Sequence, residues 1–334
     1  MLGKFPYAGI LAVDGGASKA DIALVGVDGK LVGATRTRGR YNFGLGSNGS
    51  FDALNDAIRS LARNREKSEI ADTGVYCLAG ADLPIDDRRI AAEVRKHGWT
   101  AKTIVRNDTF AVLRAGTDRT WGVAVVCGTG MNCAGVGPDG RSVRFPSFGE
   151  LSGDRAHGGG WLGLTALGAA IRARDGRGPR TDLEALVPEH FGMSRATQLM
   201  EAIYIGRINS YRLSELAPLV MKAAARGDDV ARDMLEEVID EIVVTAGAAI
   251  KRLRLTKSDV HVVLGGGVLR AADRGMLRQI RDGIRQVAPR AETLQLESPP
   301  VLGAALIGLD EIGAAPAAGR RLRRTLTHRR LAAR

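Results

Sequence analysis

Apolar positions open the chain in short runs broken by glycine. Ile10–Val13, Ile22–Val27 and Leu31–Thr35 predict three strands, with Asp28-Gly29 as a hairpin turn between the last two. Arg38–Ser50 is rich in Gly, Asn and Ser and reads as a loop. Ser50 is placed to cap a helix over Phe51–Glu66, on which Leu54, Ala57, Ile58 and Leu61 share one face. Gly74–Ala79 predicts a buried strand ending in a turn at Gly80–Pro84. A helix over Asp86–His97, a strand over Thr103–Val105 and a helix opened by Asn107-Asp108-Thr109 follow. This alternation predicts a mixed α/β sheet covered by helices.

Near Trp121 the pattern starts again. Gly122–Val126 is an apolar strand, Cys127–Gly130 a turn and Met131–Val136 the returning strand. The strand, glycine turn, strand device of Asp14–Lys19 thus recurs about 110 residues later, which predicts an internal duplication. Phe148–Gly163 is glycine-rich. Helices fill most of Leu164–Leu255, the longest over about Val230–Leu253 with Val230, Met234, Val238, Ile242, Ala246 and Ile250 near helical spacing. Val260–Leu264 is a buried strand running into Gly265–Gly267. Helices over Asp273–Val287 and Val301–Ile312 come last.

Composition narrows this little and charge more. Of the net charge of +11, seven arginines and no acid fall within Ala317–Arg334, leaving +4 on the other 316 residues. The body is only mildly basic, so a specific nucleic-acid partner is not expected; 314–334 reads as a basic disordered tail or frayed helix. No apolar run reaches the ~20 residues that span a bilayer, and Met1–Pro6 lacks a signal-peptide pattern. Cys77, Cys127 and Cys133 form no disulfide framework. A cytoplasmic protein without a membrane partner is expected.

Candidate chemistry gathers where strands end in glycine. Asp14-Gly15-Gly16-Ala17-Ser18-Lys19 combines a carboxylate, two glycines whose backbone N–H groups can approach an anion, a hydroxyl and a cation. It is neither a Walker A loop nor a dinucleotide fingerprint, and an ordinary hairpin is the alternative. Cys127–Asn132, Gly149–Gly160 and Gly265–Gly267 are three further glycine turns, and two facing turns could grip a polyphosphate. Asp108 suits either a helix N-cap or a general base for a hydroxyl. Asp154, in Ser152-Gly153-Asp154, fits a ligand-binding loop or packing. Asn42 is a turn residue or a polar sugar contact, and His157 a solvated loop residue.

In this order, Asp14-Gly-Gly-Ala-Ser-Lys, Asn107-Asp108, Cys127-Gly-Thr-Gly, Gly153-Asp154 and Gly265-Gly-Gly resemble the successive motifs of the actin/hexokinase/Hsp70 ATPase superfamily. Within it, residues 8–312 resemble the BadF/BadG/BcrA/BcrD ATPase family, which includes N-acetylglucosamine kinases. The resemblance implies an α/β fold of two ribonuclease-H-like lobes around a central nucleotide cleft, over 1–117 and 118–313, with the last helix able to pack back on the first lobe. It implies ATP, with Gly15, Gly16, Ser18 and Lys19 and then Gly128, Thr129 and Gly130 on the phosphates, and Gly265, Gly266 and Gly267 against adenosine. It also implies Mg²⁺ oriented by Asp14 through water, Asp108 as the base, and Asn42, Phe148, Gly149 and Asp154 as sugar contacts. An amino sugar such as N-acetylglucosamine or glucosamine is the implied acceptor, and a homodimer is expected.

Two departures stand out. Where the kinases usually read Gly-Asp-Glu-Gly-Ser, this chain has Gly153-Asp154-Arg155-Ala156-His157, and Cys127 stands where they often have Ser. Other members are ATP-driven activators of radical dehydratases or reductases with a shared iron–sulfur cluster, but Cys127 and Cys133 lack the activators' wide spacing. A non-catalytic sugar sensor is the third reading, though no helix-turn-helix pattern precedes the Asp14 strand.

Overall fold

The computed structural model describes residues 9–16, 19–38, 43, 49–62 and 69–332. The chain divides into two compact units, one of residues 1–124, 135–141 and 296–334, the other of 125–134 and 142–295. The first unit is therefore built from both ends of the chain. Its leading part runs β1 (Ile10–Gly15), β2 (Lys19–Val25), β3 (Leu31–Arg38), α1 (Gly49–Leu61), β4 (Ala71–Leu78), α2 (Pro84–Lys96), β5 (Thr100–Asn107) and α3 (Asp108–Gly116). β6 (Gly122–Cys127), β7 (Met131–Val136) and β8 (Ser142–Arg144) follow. The helices α4 (Gly159–Asp175), α5 (Leu183–His190), α6 (Ala196–Tyr204), α7 (Ala217–Ala225) and α8 (Asp229–Arg252) come next. Then come β9 (His261–Gly265), α9 (Gly267–Ala271), α10 (Arg274–Val287) and β10 (Glu292–Gln295), and finally α11 (Pro300–Glu311), α12 (Pro316–Thr325) and α13 (His328–Ala332).

The first sheet has the order β3-β2-β1-β4-β5. β1 and β2 are antiparallel, as are β2 and β3, while β4 and β5 run parallel to β1. Alternation along the strands serves both faces. Leu11, Val13, Ile22, Leu24 and Tyr76 meet Leu54 and Ile58 of α1 and Ile90 and Val94 of α2 on one side. Ile10, Ala12, Ala23, Val25, Val75 and Cys77 meet Val301, Leu302, Ala305, Leu306 and Leu309 of α11 on the other. Each large aliphatic side chain so buried contributes roughly 1.5–3 kcal/mol.

The second sheet, read from its β8 edge, has the order β8-β7-β6-β9-β10. That repeats the first sheet strand for strand, the duplication expected from the recurring glycine turn. Both sheets carry helices, and the expected α/β class of two such lobes is what the chain adopts. Among the described residues, no helix is long and apolar enough to cross a membrane.

Several boundaries differ from expectation. α1 begins at Gly49, so Ser50 lies inside it rather than capping it. α4 begins at Gly159 rather than near Leu164. Glycines at 158, 159, 160 and 163 hide its start, and Gly163 is needed because a Cβ there would collide with the Leu213 carbonyl. β10 is only four residues long with exposed ends, too short to show a period. The first unit extends to residue 124, past the expected limit at 117, and takes up the chain again at Leu296. The largest difference is 314–334, expected as a disordered tail. Its described part folds into α12 and α13, with Ala318, Leu322, Leu326 and Leu331 buried in the core beneath α11. The i, i+4, i+8 stripe of Ala318, Leu322 and Leu326 drives this, masked in the sequence by the surrounding arginines.

Candidate active site

In the first unit, the C-terminal ends of three parallel strands carry carboxylates: Asp14 is the last residue but one of β1, Asp82 follows β4 and Asp108 follows β5. Such strand ends are where α/β sheets receive ligands. Asp14 is 7% exposed, and its register partners are Asp21 on β2 and Cys77 on β4. Burial, reinforced by the charges of Asp21 and Asp108, holds its carboxyl well above the usual range, with Lys19 and Arg36 pulling the other way.

Asp21 has no exposed surface. It is forked by Arg36, Nε to Oδ1 at 2.6 Å and Nη2 to Oδ2 at 2.8 Å, and Lys19 Nζ reaches Oδ2 at 3.3 Å. The bidentate pair offsets the cost of burying the charge. Neither Asp21 nor Arg36 stands out in the sequence. The available signal was a carboxylate inside the apolar run Ala20–Val25, with Arg36 as its cross-strand partner once β2 and β3 pair. At the turn, the Gly16 N–H donates to the Lys19 carbonyl at 2.9 Å and that of Ala79 to Gly15 at 2.7 Å. Gly15 is constrained from the other side, since a Cβ would press on Leu78 and the Phe43 ring. Ser18 and Asn42 lie outside the described residues.

Asp108 is the first residue of α3, not its cap. Asn107 takes that role, accepting from the Thr109 N–H at 3.0 Å and from the Thr109 hydroxyl, while its Nδ2 donates to Asp82 at 2.9 Å. The cap is filled by its neighbour, and Asp108, in the first turn of α3, keeps part of its surface open. Burial, then the Asp82 charge, pushes its carboxyl up to about 7, although the N–H groups of Thr109 and of Asp108 itself pull downward. Among the described residues, no three His, Cys, Asp or Glu side chains stand close enough to cage a metal ion. A hydrated divalent cation suits this end of the sheet: it would stabilise the ionised form of Asp14 that burial and the neighbouring carboxylates disfavour.

In the second unit, three glycine turns pack backbone against backbone. The Gly128 N–H donates to the Gly130 carbonyl at 2.8 Å, closing the turn between β6 and β7 and leaving Thr129 and Gly130 exposed at its tip. The first N–H groups of α4, those of Gly159 and Gly160, donate to Gly128 and Thr129 at 2.8 Å each. Gly158 precedes them at φ 104°, where a Cβ would meet the Gly130 backbone. Gly266, at φ 97° between β9 and α9, has the Cys127 backbone in the place of a Cβ. The structure thus joins Gly128–Gly130 and Gly265–Gly267, and adds Gly158–Gly160 as the buttress of the former. Only glycine fits such close approach with positive φ.

Phe148, Gly149 and Asp154 come together in a second small loop of this unit. The Ser152 hydroxyl donates to Asp154 Oδ2 at 2.6 Å, the Asp154 N–H to the Gly149 carbonyl at 3.1 Å, and Phe148 is 45% exposed. His157 is engaged with Glu150 at 3.4 Å, on the loop surface. The three cysteines are free and buried. Burial pushes the Cys127 thiol up to about 12 and raises those of Cys77 and Cys133.

Known proteins resemble the chain along almost its whole length. The BadF/BadG/BcrA/BcrD ATPase family matches residues 11–308. An N-acetylmuramic acid/N-acetylglucosamine kinase of Clostridium acetobutylicum is 24% identical over 304 residues, which are 90% of this chain and 98% of that protein. An N-acetyl-D-glucosamine kinase of Dictyostelium discoideum is 27% identical over 317 residues, 90% of this chain and 97% of that one. A crystal structure from Chromobacterium violaceum, provisionally assigned as an N-acetylglucosamine kinase, superposes with a TM-score of 0.70 at 25% identity, covering 90% of this chain and 99% of the other. With a match across 11–308, the chain belongs to the BadF/BadG/BcrA/BcrD ATPase family.

Proposed function

We propose that the protein is an ATP-dependent sugar kinase that transfers the γ-phosphoryl group to a hydroxyl of an amino sugar, N-acetylglucosamine or glucosamine. The observation that carries this reading is Asp108, a partly open carboxyl at the C-terminal end of β5 that burial and the Asp82 charge push up to about 7. A base of that strength is matched to neutral pH. The two relatives named as amino-sugar kinases support the acceptor class.

Phosphoryl transfer asks the protein for alignment and charge neutralisation more than for covalent chemistry. Gly15, Gly16, Ser18 and Lys19 would hold one side of the polyphosphate, and the backbone N–H groups around Gly128, Thr129 and Gly130 the other. Gly265–Gly267 would lie against adenosine. Asp14 would hold hydrated Mg²⁺, which neutralises charge on the phosphates when bound. Phe148, Gly149 and Asp154, with Asn42, would position the sugar. Asp108 accepts the proton of the attacking hydroxyl as the new oxygen–phosphorus bond forms. The bond to the bridging oxygen breaks, and ADP leaves with that electron pair. We infer further that the enzyme works as a homodimer in the cytoplasm, a reducing setting that suits its three free thiols.

An ADP-release assay over a panel of sugars, with a sugar-free control, tests the reading. Amino sugars are expected to raise ADP release above the control, and Asp108→Asn to lower kcat by about 10²–10⁴ with little change in ATP binding. A panel in which no sugar stimulates ADP release removes the kinase assignment. Sedimentation of the purified chain checks the dimer.

A further inference from the structure

The match to the family ends at residue 308, so α12 and α13 lie beyond it. These helices do more than cover the core. Arg323, on α12 between the buried Leu322 and Leu326, sends its guanidinium to the end of α3. Nη1 donates to the Ala115 carbonyl at 2.7 Å, and Nη2 to those of Arg114 at 3.0 Å and Thr117 at 2.6 Å. Nε lies 3.0 Å from Asp118. The last carbonyls of a helix have no partner within it, and a cation there also meets the negative end of the helix dipole.

α3 is nine residues long and begins with Asp108. A helix so short does not hold itself in place, so its position is set by what packs on it. α11 supplies part of that hold. Gly303 abuts the Ala111 carbonyl, and Asp310 is forked by Arg114 at 2.7 and 3.1 Å. Arg323 fixes the C-terminal end, from an element outside the family match.

We propose that the C-terminal helices are a positioning element for the phosphoryl-transfer step: Arg323 clamps the end of α3 and thereby sets where Asp108 stands. Arg323 acts through α3 and touches no reactant. The planar fork is essential to this, because three carbonyls are read by two terminal nitrogens of one guanidinium, a geometry a lysine ammonium cannot reproduce. The inference rests on Asp108 being the base.

The test compares the full-length parent with Arg323→Ala, Arg323→Lys and Asp108→Asn. It measures thermal melts, Kd for a non-hydrolysable ATP analogue, and kcat and KM for both substrates per nucleotide-binding site. Both Arg323 variants are expected to melt cooperatively and to bind nucleotide within about twofold of the parent. Their kcat should fall about tenfold or more, since small misplacements of a reacting group cost rate steeply. Added guanidinium should restore part of the loss in Arg323→Ala and none in Arg323→Lys. Unchanged kcat in a folded Arg323→Lys overturns the proposal, and so does failure of both variants to fold, which would assign Arg323 to stability alone. Parent-like turnover in Asp108→Asn would instead remove the base, a failure of the underlying reading that the other variants reveal separately.

Discussion

As the proposed base, Asp108 ties activity to stability, with opposite signs. An aspartyl carboxyl at about 7 in the folded chain, against an ordinary 3.8, binds its proton more tightly folded than unfolded. Between those pH values the native state holds more protons than the unfolded one. Stability therefore falls as pH rises through that window, and the cost is fully present above pH 7. The full shift converts to about 4 kcal/mol, at about 1.4 kcal/mol per unit. Because Asp108 keeps part of its surface open, solvent screening reduces the expected cost to about 1–2 kcal/mol. Asp108→Asn removes the ionisation at nearly constant size. It should be more stable than the parent by about 1–2 kcal/mol at pH 8 and close to equal at pH 4, while kcat collapses. Urea unfolding read by tryptophan fluorescence suits the measurement, since Trp99 is fully buried in the first unit's core. The kcat profile of the parent should lose about tenfold per pH unit below pH 7. A variant no more stable than the parent at pH 8, or a difference identical at pH 4 and pH 8, would refute the assignment of a raised carboxyl to Asp108.

Other outcomes are equally specific. Gly266→Ala forces a side chain at φ 97° into the Cys127 backbone and should cost about 1–3 kcal/mol with weaker binding of a fluorescent ATP analogue. Gly267→Ala, with open space at its Cβ, should melt like the parent. Arg36→Met leaves Asp21 buried without its fork and should destabilise the chain by about 3–5 kcal/mol in urea. Adding Asp21→Asn should recover much of that loss. Leu322→Ala, at a site with no exposed surface, should cost about 2–5 kcal/mol and expose the C-terminal helices to limited proteolysis.

The strands and their glycine exits were legible because both signals are local: a period-two apolar run and a residue without Cβ. The duplication followed from two such turns, and the strand order bears it out. What escaped depends on pairing at a distance. Arg36 gains meaning only when β3 lies beside β2 and brings it to Asp21. Asn107 displaced Asp108 as cap because two adjacent polar residues at a strand end compete for one role, and only the geometry decides between them. α12 was hidden by composition: its charges outnumber its apolar stripe, although the stripe is what determines where it sits.

The first unit's discontinuity has a consequence for how the chain is made. Its five strands are complete once Asn107 emerges, yet α11, which covers one face of that sheet, starts at Pro300. About 190 residues are translated in between, roughly 10–40 s at about 5–20 residues per second. During that interval Ile10, Ala12, Val25 and Val75 have no cover from α11, whereas most of the second unit, 142–295, is one continuous stretch available earlier. The nascent sheet thus lacks the α11 side of its core until the last helices arrive. A message truncated between Gly116 and Pro300 yields a chain whose first sheet keeps Ala111 of α3 on that face but lacks the cover of α11.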